Sequence, residues 1–134
     1  MAFTTQYQTI PGLKANSTGL ASSQFLAVKL ATTAGRVVAP GTVNTTTNPG
    51  YIVGILMNAP AGNEEAEVAV TGIVKAIAAT STIAIGDRVY TNTTGKLTDA
   101  GTTDNGFFLG RALEASAAAG DIVTIILNGG GARF

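Results

Sequence analysis

Between Phe25 and Leu127 the chain repeats one short rhythm: a run of apolar and β-branched residues, then a cluster of Gly, Asn, Pro or Thr. The runs cover residues 25–30, 36–39, 51–57, 67–77, 87–91, 107–114 and 121–127. Turn signals part them at Thr33-Ala34-Gly35, Asn48-Pro49-Gly50, Ala61-Gly62-Asn63, Ile85-Gly86-Asp87, Thr94-Gly95-Lys96 and Ala119-Gly120-Asp121. Runs this short are strand-sized, and the punctuation is that of tight turns. The rhythm predicts an all-β fold, a small antiparallel barrel or sandwich of about seven short strands. One stretch, residues 113–119, is Ala-rich and predicts a short helical piece that Gly120 would stop.

The flanks differ from this middle. Residues 1–24 are polar, with Phe3, Tyr7, Ile10 and Leu13 spaced among Thr, Gln, Asn and Ser, and with Pro11-Gly12 as a breaker. They read as an extended N-terminal arm that orders on a partner. Residues 25–128 form the barrel-like domain, and residues 129–134 a flexible Gly-rich tail after the last strand. Within the domain, Tyr51-Ile52-Val53-Gly54 and its continuation to Ala59 echo Phe107-Phe108-Leu109-Gly110 and its continuation to Ala115. Each copy leads through a small-residue loop into an acid-led strand, at Glu67 or Asp121. Gly54 and Gly110, placed mid-strand, predict bulges or close backbone approaches that help a small sheet curl. Gly86 and Asp87 read as a structural turn.

Missing residues narrow the chemistry. The chain has no His, no Cys and no Trp. That removes imidazole bases and ligands, thiol nucleophiles, disulfides and the strongest sugar-stacking ring. The remaining motifs fail on inspection. Gly95-Lys96 lacks the upstream Gly and the following Ser or Thr of a phosphate loop. Of Glu64, Glu65 and Glu67, only the last two share a face of an extended chain, too few oxygens for a hard cation. Asp99 and Asp104 bracket a turn-rich stretch, where Asp caps local backbone amides. The reading is therefore of a protein that is not an enzyme, with no catalytic residue, no metal and no cofactor.

Charge points elsewhere. Eight basic and eight acidic residues leave a formal net charge of zero, and charged residues are only 12% of the chain. The basic residues are scattered, which argues against nucleic acid as a partner. No stretch has the length of a membrane span or the pattern of a signal peptide, so a soluble, cytoplasmically made protein is expected. A small soluble monomer ordinarily keeps its surface more charged than this. Few charges and abundant Thr suit surfaces that neighbours cover, by sister copies and by a larger assembly.

A resemblance gives this expectation a name. The order Ala66-Glu67-Val68-Ala69-Val70-Thr71-Gly72, then Ile85-Gly86-Asp87-Arg88-Val89-Tyr90, then Thr94-Gly95-Lys96-Leu97 continues with Leu109-Gly110-Arg111-Ala112-Leu113-Glu114 and Ala119-Gly120-Asp121-Ile122-Val123. Together these resemble the small bacteriophage capsid-decoration, or cement, proteins, formerly grouped as a domain of unknown function. The resemblance implies a β-barrel-like structural protein of the virion on the outer surface of the capsid. It implies binding to the major capsid protein, commonly as a homotrimer at three-fold positions. On that view copies bridge capsid subunits and stabilise the head. Phe3, Tyr7, Ile10 and Leu13 of the arm are the expected capsid contacts, so loss of residues 1–15 should abolish binding and spare the fold. A receptor- or glycan-binding module on a virion surface is the alternative reading.

Overall fold

The computed structural model describes residues 5–31, 33–38, 52–91, 94–99 and 107–133. Among these residues ten strands are defined: β1 (Gln6–Thr9), β2 (Lys14–Ala15), β3 (Ala27–Leu30), β4 (Arg36–Val38), β5 (Ile52–Leu56), β6 (Val68–Ile77), β7 (Arg88–Thr91), β8 (Leu97–Thr98), β9 (Phe107–Ala112) and β10 (Ile122–Arg133). They join in one sheet of order β2-β4-β3-β5-β6-β10-β9-β7-β8, with β1 added on β6. Every ladder is antiparallel except β2–β4.

The order is a palindrome about the β6–β10 seam. β4-β3-β5-β6 on one side answers β8-β7-β9-β10 on the other, with the same sequence order inside each quartet. The irregularities match as well. Val28 faces Gly54 and then Lys29 faces Ile52, leaving Val53 as an extra residue. Val89 faces Gly110 and then Tyr90 faces Phe108, leaving Leu109 extra. The echo in the sequence thus corresponds to two copies of one four-strand unit, each bulged beside its mid-strand glycine. At Gly54 the need for glycine is steric: a Cβ there would lie 2.0 Å from the Ala69 carbonyl oxygen.

The sheet is open, so the closed barrel or two-sheet sandwich expected from the strand rhythm is not its form. It does roll. Leu97 of β8 bridges to Ala78 just past β6, and the Ala79 N–H donates to the Leu97 carbonyl at 2.7 Å. The rolled face encloses the main core, built from Ile55, Ala69, Val74, Ala76, Val89, Leu97, Val123 and Ile125 among others. A second cluster lies on the opposite face of the first quartet, where Val28, Leu56 and Val68 are covered by Leu13, Ala15, Leu20, Val37 and Ala66.

Three expectations need correction. No helix occurs among the described residues, and residues 113–119 form bends and turns instead. Their N–H groups find partners that a helix would not supply. The Asp121 carboxylate accepts from Ala117 and Ala118, Ser116 donates to the Ile83 carbonyl, and Leu113 donates to that of Thr124. The last strand does not stop at Leu127 to release a tail. It continues to Arg133, with Ala132 opposite Phe108, and the chain from 128 to 131 is taken up as a bulge in the ladder. Residues 5–24 do not stand apart as an arm either. β1 pairs with β6, the Ala15 N–H donates to the Glu64 carbonyl at 2.8 Å, and Leu13 and Leu20 are buried.

Candidate functional site

The residues expected to meet a partner divide sharply. Phe3 lies outside the described residues. Tyr7 packs on the main core and its hydroxyl donates to the Glu67 carboxylate, which together with partial burial pushes the Tyr7 phenol up to about 12. Ile10 is half-buried against the second cluster, and Leu13 is inside it. The four structural positions sit where the chain bends. Gly54 and Gly110 flank the matched bulges. Gly86 turns at φ 89°, and the Asp87 carboxylate accepts the Ala84 N–H at 2.9 Å. Among the described residues no group of three acidic, His or Cys side chains is placed to hold a metal ion. Asp99 accepts from the Thr82 hydroxyl; its sequence neighbour Asp104 lies outside the described residues. Of the aromatic residues that a sugar-binding reading would need, Tyr90 is buried and Tyr7 is tied to Glu67.

What the structure exposes instead is a pair of isoleucines, Ile122 and Ile126, on the outer face of the sheet, either side of a buried Thr124. Ala69 and Val74 are five residues apart on β6, yet both belong to the main core. The in–out alternation therefore slips between them. Gly72, at φ 112°, takes up the slip; a Cβ there would lie 2.3 Å from the Gln6 carbonyl oxygen of β1. Beyond Gly72 the outward positions of β6 are Ile73, Lys75 and Ile77, all half-buried. Directly opposite on β10 stand Ile126, Thr124 and Ile122.

One cross-strand row runs through five strands in register: Gln6, Ile73, Ile126, Arg111 and Arg88. Ile122 and Ile126 are 51% and 46% exposed, far from the polar side chains that a solvated sheet face ordinarily carries. Arg111 and Arg88 face each other across β9 and β7. The Arg111 guanidinium donates to the Gly86 carbonyl at 2.9 Å, which lays it along the turn that carries Ile85, itself 73% exposed. Glu114 borders the face on its far side, accepting the Thr124 N–H at 3.0 Å. Thr124 holds the Glu114 carboxyl below the usual carboxylate range, and the Lys75 charge adds to the pull.

The phage cement protein model matches residues 17–127, most of the chain and all of the palindrome from β3 to Leu127 in β10. The chain belongs to the phage cement protein family. No curated protein matches it. Membership gives the protein a structural role in the virion, in association with the phage capsid. It also shows what the cement fold shares here: the match begins after β2, so the β1 segment lies ahead of the family's common part.

Sequence reasoning missed the exposed face for a physical reason. The run Ile122-Val123-Thr124-Ile125-Ile126-Leu127 is apolar on both sides of the strand, so it reads as a strand buried on both faces. Arg111 and Arg88 sit 23 positions apart, and nothing local shows that they meet. The available signal was only that each Arg stands inside a strand-sized run, 87–91 and 107–114.

Proposed function

We propose that the protein binds the outer surface of the phage head and bridges neighbouring major capsid subunits, adding cohesion to the shell. The observation that carries this reading is the family match over residues 17–127, on a chain that also presents an exposed isoleucine face. A face of this kind loses free energy to water until a neighbour covers it, at ~25 cal/mol per Å² of apolar area. Each contact need only be modest. Grouping as a homotrimer at a symmetric node, as the resemblance implies, would multiply weak contacts into lasting attachment.

A second contact in the proposal is the outer edge of β1. No strand among the described residues pairs with it, so its backbone groups are open to strand addition by a capsid segment. The side chains of Tyr7, Ile10 and Leu13 are all packed within the fold, so it is the backbone edge that offers this contact. The test is co-sedimentation of purified protein with heads assembled without it, followed by thermal challenge of the heads. Saturable binding with a higher disruption temperature is expected. Protein that stays in the supernatant, with heads no more robust, contradicts the proposal.

A further inference from the structure

The two quartets share one outer face but treat it differently. In the first, Val28, Leu56 and Val68 are covered by the chain's own extended segment, through Leu13, Ala15 and Leu20. In the second, Ile122 and Ile126 stand on the same side of the same sheet and nothing among the described residues covers them. Arg88 and Arg111 meet directly at one end of the bare half. Like charges opposite each other on neighbouring strands repel. Among the described residues neither guanidinium is paired with a carboxylate, and the contact shown for Arg111 uses one donor, to Gly86, leaving the rest of its fork free for a carboxylate.

Resting on the capsid-binding reading, we propose that this bare half-face is the seat of an extended segment of the capsid protein. That segment carries aliphatic side chains over Ile122 and Ile126, next to a carboxylate that pairs with Arg88 and Arg111. The occupant copies what Leu13–Leu20 does on the other quartet, with a charge added for register. Charge complementarity calls for a carboxylate from the occupant: among the described residues those of Glu64, Glu67, Asp87, Asp99, Glu114 and Asp121 are already engaged within the fold, so a second copy could offer only Glu65 to the two guanidiniums.

The experiment titrates heads assembled without this protein against wild type, Ile126→Ser, Arg88→Glu/Arg111→Glu, Arg88→Gln/Arg111→Gln and the control Leu30→Ser. Leu30 is 52% exposed at the end of β3, outside the half-face. All positions changed are exposed, so matching circular-dichroism melts confirm the fold. Expected are losses of about tenfold or more in affinity for Ile126→Ser and for the double Glu variant, and little change for Leu30→Ser. Raising salt should weaken wild type markedly and the double Gln variant much less. Wild-type binding that all variants match overturns this inference and leaves the capsid reading standing; no binding by wild type overturns both. Self-association of wild type without heads, abolished by Ile126→Ser, overturns it in favour of a second copy as occupant.

Discussion

Leu13→Ala separates two views of the N-terminal stretch. If residues 1–24 were an arm awaiting a partner, Leu13 would be solvated in the free protein and its truncation would cost nothing measurable. In the structure Leu13 is 7% exposed, packed in the cluster that holds Ala15, Leu20, Val28, Leu56 and Val68. Its carbonyl accepts the Ala66 N–H at 2.9 Å, so the backbone is pinned and the hole cannot simply close. Removing three carbon groups at about 0.8 kcal/mol each gives roughly 2.4 kcal/mol of lost transfer energy. The residual cavity raises the total to about 3 kcal/mol, inside the usual Leu→Ala range. For a chain of 134 residues this lowers Tm by roughly 10 °C. Urea unfolding followed by circular dichroism measures it, with exposed Leu30→Ala as the comparison, expected within about 0.5 kcal/mol of wild type. A Leu13→Ala cost no larger than that of Leu30→Ala would refute the packing of this segment on the domain.

Other consequences follow from the same contacts. Gly54→Ala should be severely destabilised, by about 2–3 kcal/mol or more, because the new methyl meets backbone; Gly120→Ala, with open space around its Cβ position, should cost only the ~1 kcal/mol of a left-handed residue. Gly72→Ala should release β1 from β6, read as fast amide exchange of residues 6–9 with the main core still protected. The Tyr7 phenol is held neutral to about 12, above the ordinary phenol value of about 10. Its folded value is raised, so the stability it contributes is complete below about pH 10 and lost between there and about pH 12. Ultraviolet difference titration of wild type against Tyr7→Phe should show one phenol ionising late, and a midpoint near 10 would contradict the Tyr7–Glu67 bond.

How much of this was legible beforehand depends on what each residue had to decide. The strands around Ile55, Val74, Val89 and Ile125 were readable because β-branched runs between turn residues leave few other folds. β1 was not, since Gln6-Tyr7-Gln8-Thr9 carries no apolar alternation and pairs only because Gly72 lets its backbone come close. The turn at 113–119 defeated helix propensity because Asp121 supplies carboxylate acceptors to two of its N–H groups, a tertiary fact. The glycines at 129–131 looked like a tether, yet the β9 backbone pairs on either side of them. The candidate face was the least legible part. Ile126 and Ile125 are chemically identical neighbours, and only the slip at Gly72 and the roll of the sheet decide which is core and which is surface.

The most direct measurement is a cryo-electron microscopy reconstruction of heads decorated with the purified protein. The account predicts density on the outside of the shell, each copy touching at least two capsid subunits, with the β6–β10–β9 face turned toward the shell. Copies absent from the shell, or attached with Ile122, Ile126, Arg88 and Arg111 pointing into solvent, would contradict it.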